Sequence, residues 1–76
     1  MVRKKPDDNQ AFGRAVQEVR VERGLSREAF AAHVDLDPRH IEAIERGEVD
    51  VVYTLILRLA RGLGIPPVDL LARAGI

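Results

Sequence analysis

Apolar residues recur along the chain at the spacing of a helix face, in short segments separated by glycine or proline. In the first segment Phe12, Val16 and Val19 lie three or four residues apart, which is the repeat of one side of an α-helix. Gly24 follows this stripe, and glycine at that place is a typical helix end. The pattern predicts a first helix over residues 9–23.

The next two predicted helices are short and joined by a tight turn. Ser26 is a good N-cap for a helix over residues 27–34. Asp37 caps the following helix, and Pro38 takes its first position, where the missing N–H group costs nothing. Gly47 ends that helix. The pair has the form helix–short turn–helix.

Two more helices complete the chain. One is predicted over residues 52–63, with an apolar face and Gly64 at its end, and the last over residues 68–74 after two prolines. The β-branched cluster of Val49, Val51 and Val52 is too short to build a sheet. The sequence therefore predicts an all-α, compact five-helix domain.

The third helix has a buried side and an outward side. Ile41 and Ile44 face the core, because they are the apolar positions at helical spacing. The outward positions are Arg39, Glu42, Ala43 and Arg46. These outward positions carry both positive and negative charges, so they form either an ordinary solvated surface or a binding surface.

Glu45 borders the buried stripe of this helix, which is an unusual place for a carboxylate. A carboxylate that is partly buried needs a cation and hydrogen bonds. Arg20 follows Val16 by four residues and so borders the buried stripe of the first helix. The spacing favours an Arg20–Glu45 clamp between the first and third helices, and the alternative is two solvated surface charges.

Composition excludes several classes of protein. The 76 residues contain no cysteine, so a disulfide, a zinc–thiolate site and a cysteine nucleophile are excluded. The basic N-terminus has no apolar segment after it, unlike a signal peptide, and no apolar run approaches the length that spans a membrane. We expect a cytoplasmic protein with a flexible basic arm over residues 1–8 and one domain over residues 9–76.

Catalytic and metal-binding patterns are weak. His33, Asp35, Asp37 and His40 are ligand types, but their spacing crosses a helix end and a turn and lacks the paired histidines of a zinc helix. No nucleophile–base arrangement or glycine-rich phosphate loop stands out. We therefore predict no enzymatic activity, no metal and no cofactor.

Four stretches together resemble a known family. FGRAVQEVRVERGLSREAFA, HIEAIERG, LRLARGLGI and VDLL, over residues 12–71, are similar to the lambda-repressor-like helix-turn-helix family of Xre- and Cro-type transcriptional regulators. The resemblance implies a helix-turn-helix formed by the second and third helices. It also implies that Arg20 and Glu45 form the family's salt bridge between the first and third helices.

The resemblance places the third helix in the major groove of double-stranded DNA. Arg39 would read guanine O6 and N7, and Arg27, at a helix N-terminus, would hold a phosphate. Pro38 and Ala43 would contact a thymine methyl group. The predicted DNA-contacting set is Arg27, Asp37, Pro38, Arg39, His40, Glu42, Ala43 and Arg46.

The chain departs from the family pattern in three ways. Asp35 stands in the turn where glycine is usual, and aspartate tolerates the left-handed conformation better than most residues. Arg27 stands where glutamine is frequent, which favours a phosphate contact over a base contact. Val51 and Val52 stand where small polar residues often precede the fourth helix.

The charge distribution leaves a second function open. Residues 35–50 hold two arginines against six carboxylates, whereas residues 1–27 hold seven basic against four acidic residues. The acidic segment would repel DNA, so a protein-interaction module or an antitoxin-like partner of a second protein is the alternative to a DNA-binding regulator. The resemblance implies that a protein of this size is a restriction–modification controller, an antitoxin or a phage-type repressor, and the sequence does not choose among them.

The fourth and fifth helices and the residues just before them contain more apolar side chains than the core requires. The candidates for a dimer interface are Val51, Tyr53, Leu57 and Val68. We predict a homodimer on a palindromic operator, because one short recognition helix reads only a few base pairs. The alternative is that these side chains close a thin core.

Overall fold

The computed structural model describes residues 6–76, with side chains from Asp8 onward, and this part of the chain contains five helices and no strand. The helices are α1 (Pro6–Glu22), α2 (Arg27–Val34), α3 (Pro38–Glu45), α4 (Tyr53–Leu63) and α5 (Pro67–Ala74). The predicted all-α, five-helix architecture is confirmed. Within residues 6–76, no helix has both the length and the apolar character needed to cross a membrane.

Helix α1 begins earlier than the apolar stripe predicts. It starts at Pro6, so residues 6–8, predicted as the end of a flexible arm, are helical instead. Proline is favourable at the first helical position and acidic residues are favourable in the first turn, and Asp7 and Asp8 follow Pro6. The first five residues of the predicted arm lie outside the described residues.

The helix-turn-helix has the predicted boundaries. The Ser26 hydroxyl accepts the N–H of Ala29 at 3.0 Å and caps α2. Asp35 adopts the left-handed conformation, with φ 58°, and its N–H bonds to the carbonyl of Ala31. The Leu36 N–H bonds to the same carbonyl at 2.9 Å. The turn is therefore the glycine-type turn of the family, formed with an aspartate.

Every helix contributes to one apolar core. Its buried members are Phe12, Ala15, Val16, Val19, Phe30, Ala31, Val34, Ile41, Ile44, Leu59, Ala60, Leu63 and Leu70. Around them lies a second layer of partly buried apolar side chains from the loops and from α4 and α5. The core is thin, as expected for a chain of this length.

Helix α4 buries only its second half. Leu59, Ala60 and Leu63 are buried, whereas Ile56 is half-buried. Leu55 and Ile56 both pack against the core. The first turns of α4 therefore lie at the edge of the domain, where neither side of the helix is fully covered.

Two glycines allow helices to approach closely. A Cβ atom at Gly13 would collide with the carbonyl oxygen of Ile44 and lie 2.8 Å from that of Glu45. At Gly62 it would collide with the side chain of Val34. The backbones of α1 and α3 are therefore in direct contact, which fixes the position of α3 from behind.

Candidate nucleic-acid interface

The solvent-facing side of α3 is the candidate surface for reading DNA. Ile41 and Ile44 are buried on its rear. Arg39 and Arg46 are exposed on the opposite side, and Ala43 is half-buried between them. One α-helix fits into the major groove. The surface that α3 would present there is a small alkyl group flanked by two guanidinium groups.

The N-terminus of α3 is capped by a predicted DNA-contacting residue. Asp37 accepts the backbone N–H of Arg39 at 2.8 Å, and Pro38 occupies the first helical position. The cap satisfies an N–H group that has no partner inside the helix. The positive end of the helix dipole also compensates part of the Asp37 charge. Asp37 therefore orients the beginning of α3.

The rear edge of α3 is clamped to α1. Arg20 Nε donates to Glu45 Oε2 at 2.6 Å, and Arg20 Nη2 donates to Glu45 Oε1 at 3.3 Å. Arg20 Nη1 donates to the Leu25 carbonyl at 2.8 Å. The side chains of Arg20 and Glu45 are only 9% and 3% exposed. The structure thus brings the predicted pair together, with two parallel hydrogen bonds in a nearly dry environment.

Arg27 is a second cation on the same carboxylate. Its Nε donates to Glu45 Oε1 at 3.1 Å, although the Arg27 side chain remains 42% exposed. The sequence placed Arg27 at the start of α2 as a solvent-facing phosphate ligand and did not indicate this contact. The Arg20–Glu45–Arg27 cluster contains two guanidinium groups and one carboxylate, so it keeps one positive charge at the N-terminus of α2.

The exposed arginines of α3 differ in their partners. Arg46 pairs with Glu42 one turn earlier, at 2.9 Å, which reduces its availability for a phosphate. Arg39 is exposed and forms no ion pair with any described residue. His40 is also exposed and lies on the side of α3 that faces α4. Arg39 is therefore the cation on this helix that is not already neutralised.

The pattern of the sequence did not reveal the role of Asn9. Its side-chain amide donates to Asp50 at 3.0 Å, and its carbonyl oxygen accepts the N–H of Val51 at 3.1 Å. These bonds tie the first turns of α1 to the connection between α3 and α4. An asparagine near a predicted helix start reads as a capping residue, so only the tertiary structure identifies its partners.

The predicted dimer residues fall into two groups. Tyr53 and Val68 are exposed, at 72% and 68%. Val51 and Leu57 are half-buried, and Val51 packs against the core. Val51 also lines an apolar cleft of about 220 Å³ with Ile56, Leu71 and Ile76. An apolar surface of this kind is available around α4 and α5.

The histidine and aspartate residues around the α2–α3 turn do not form a metal cluster. Among residues 6–76, the structure groups no three His, Asp or Glu side chains at metal-binding distances. Asp35 and Asp37 instead serve the turn and the helix cap.

Similarity to known proteins agrees with this geometry. A helix-turn-helix domain family matches residues 11–74. The control protein C.MunI from Mycoplasma sp is 38% identical over 55 residues, covering 71% of this chain and 74% of that protein. The control protein C.BamHI from Bacillus amyloliquefaciens is 36% identical over 61 residues, covering 79% of this chain and 75% of that protein.

A solved structure extends the similarity to three dimensions. The restriction–modification controller protein C.AhdI from Aeromonas hydrophila has a TM-score of 0.78 and 38% identity, covering 83% of this chain and 96% of that chain. Fold and surface together define a DNA-binding regulator of the lambda-repressor-like class, as the resemblance implied. The chain belongs to the helix-turn-helix domain family.

Proposed function

We propose that this chain is a controller-type transcriptional regulator that binds a palindromic operator as a homodimer, with α3 in the major groove. The observation that carries the proposal is Arg39. It is exposed, has no ion-pair partner among the described residues, and stands in the first turn of a helix whose rear is buried and clamped. A base-reading side chain needs such a fixed support, because small displacements disrupt paired hydrogen bonds.

Arg39 and Arg27 have different proposed roles. Arg39 reads a base edge, with guanine as the preferred partner of a guanidinium group. Arg27 binds a backbone phosphate, because the Arg20–Glu45–Arg27 cluster has a net charge of one positive unit. Phosphate contacts position the protein on the duplex, whereas base contacts specify the sequence.

The similarity to control proteins supports the controller type over a phage-type repressor or an antitoxin. C.MunI and C.BamHI are control proteins by name, and C.AhdI is a restriction–modification controller. In this role the chain regulates transcription and has no catalytic step of its own. An antitoxin-like protein partner is the remaining alternative, and the exposed apolar side chains of Tyr53 and Val68 are where it would bind.

Selection of DNA from a random pool by the purified protein tests the function directly. We expect one enriched palindrome with half-sites about one helical turn apart. Arg39→Ala should weaken binding to that site by about 1–3 kcal/mol and relax the preference at one base pair. Arg27→Ala should weaken all sequences alike and reduce the salt slope by about one unit. DNA binding is contradicted if no sequence is enriched from the pool and the protein is not retained on heparin at low salt.

The dimer has its own test at an exposed position. Tyr53→Glu places a charge near the proposed two-fold axis, where symmetry doubles it. The variant should remain folded and become monomeric, with weaker operator binding. Val21→Glu is the matched control, since Val21 is 60% exposed on α1 and outside the proposed interface. A parent protein that is monomeric at high concentration, both alone and on the operator, rules out the dimer.

A further inference from the structure

A cleft between α3 and α4 joins His40, already predicted to contact DNA, with Thr54 and Arg58, which no predicted contact uses. It has a volume of about 260 Å³ and lies beside the recognition helix. Its polar members include His40 on α3 and Thr54 and Arg58 on α4, and its floor is apolar, with Leu36 and Leu55. His40, Thr54 and Arg58 are exposed, and none of the three has a side-chain hydrogen bond or ion pair with another described residue.

The cleft and Arg27 lie on opposite sides of α3. The buried stripe of α3 runs through Ile41 and Ile44. Arg27 contacts Glu45 on one border of that stripe. His40 stands on the other border, because successive residues turn by about 100° around a helix. A helix in the major groove has one phosphate strand on each side, and Arg27 can serve only one of them.

We propose that Arg58, together with His40 and Thr54, binds a DNA backbone phosphate on the strand opposite the one that Arg27 contacts. This inference rests on the proposed function and adds a binding site to it. An arginine is a suitable phosphate ligand because its guanidinium presents several N–H donors in a fixed plane. Thr54 and His40 add shorter donors at the mouth of the same cleft.

Two carboxylates lie near Arg58. They reduce its affinity for a phosphate but do not abolish it. Asp50 lines the cleft, but its Oδ1 accepts the Asn9 amide at 3.0 Å. Asp35 lines the neighbouring groove with His33, Arg58 and Arg61. Neither carboxylate is paired with Arg58. The N–H donors of Arg58 therefore remain available to a ligand. The nearby carboxylates Asp50 and Asp35 offset the arginine charge, so a single phosphate is a better ligand here than an extended acidic surface.

The salt dependence of DNA binding measures the contact. Each neutralised phosphate contributes about 0.9 to the slope of log affinity against log salt concentration. Arg58→Ala should lower the slope by about 0.9 on operator and random DNA alike. The difference in affinity between parent and variant should then shrink about 3.5-fold between 50 and 200 mM salt. Arg58→Lys keeps the charge and should keep most of the slope.

Arg14→Ala is the matched control. Arg14 is exposed, forms no ion pair with a described residue and lies on the outer side of α1, away from the cleft. It should leave the slope unchanged. Circular dichroism should give the same melting curve for the Arg58 and Arg14 variants, since neither side chain is buried.

The outcomes separate the inference from the function on which it rests. If Arg39→Ala and Arg27→Ala weaken binding but Arg58→Ala leaves the slope intact, the phosphate site is wrong and the regulator remains. A loss of affinity without a change of slope also overturns the site, because Arg58 would then act through packing. If none of the three variants affects binding, the proposed function itself fails.

Discussion

Two residues of α1 that are only two positions apart, Arg20 and Glu22, each form an arginine–glutamate pair with another helix. The two pairs have nearly the same geometry. Arg20 meets Glu45 of α3, and Glu22 meets Arg73 of α5; each pair has two hydrogen bonds, and the shorter one is 2.6 Å in both. Their surroundings differ. The first pair is 9% and 3% exposed, whereas the second is 41% and 55% exposed.

The difference shows that distance alone does not decide what an ion pair contributes. Water and salt screen the exposed pair, so its net contribution is small. The buried pair gains little over an apolar pair of the same shape, but the loss of one partner leaves a charge in a dry environment. The α1–α3 pair therefore holds α3 in place, and the α1–α5 pair is a surface contact.

The largest expected effect is that of Glu45→Ala. It removes the carboxylate from between Arg20 and Arg27 and should destabilise the domain by about 3–5 kcal/mol. For a domain of this size that corresponds to a fall in melting temperature of more than about 12 °C. Glu22→Ala is the matched control and should melt close to the parent. Equal shifts for the two variants in thermal circular dichroism would remove the distinction between the pairs.

Gly13→Ala tests whether the α1–α3 contact also depends on backbone proximity. The added methyl group would collide with the carbonyl oxygen of Ile44, and a backbone atom cannot rotate away. We expect a loss of about 1–3 kcal/mol in chemical denaturation, with Gln17→Ala on the exposed side of α1 as the control. A more stable Gly13→Ala protein would mean that helix propensity outweighs the contact and that α3 can shift outward.

Arg27→Met should have a smaller effect on stability. Arg20 stays on Glu45, and Arg27 is nearly half exposed, so its bond should contribute about 1 kcal/mol or less. Arg14→Met is the control. Denaturation at low and at high salt measures the effect, which should diminish as salt rises. A loss as large as that of Glu45→Ala would place Arg27 among the buried partners of the carboxylate.

The smallest expected effect is the pH-dependent stabilisation by the exposed Glu22–Arg73 pair. The hydrogen bond from Arg73 is the main cause that lowers the pKa of the Glu22 carboxyl below its ordinary value of 4.5. A lowered pKa in the folded state gives a stabilisation that is present above the ordinary value and is lost as the pH falls through the folded value. An NMR titration should show the Glu22 pKa rising toward 4.5 in Arg73→Ala. An unchanged pKa would mean that the pair does not persist in solution.

Much of the fold follows from local sequence patterns. The caps at Ser26 and Asp37 and the stop at Gly64 are local, so the starts of α2 and α3 and the end of α4 could be predicted to the residue. The start of α1 was missed because the prediction relied on the apolar stripe, which begins only at Phe12. Helix ends without an apolar residue depend on proline and charge, which are weaker signals.

The candidate interface was less accessible to sequence reasoning. The bond between Arg27 and Glu45 joins residues 18 positions apart, and nothing in a helical repeat specifies it. The bonds of Asn9 cross more than 40 positions. Arg58 falls on an outward position of α4, and its proximity to His40 results from the packing of α4 beside α3. Periodicity identifies which side of a helix is exposed, but tertiary packing decides what that side meets.

Local opening of the chain that follows α3 should depend on the bonds of Asn9. They fix the far end of the connection between α3 and α4 to a residue in the first turns of α1. Helix termini open locally far more often than the centre of a domain, so amide exchange at Val51 should follow the fraying of α1 rather than global unfolding. We therefore expect the first turns of α1, some 30 residues from α3 in the chain, to set how often the connection after α3 opens.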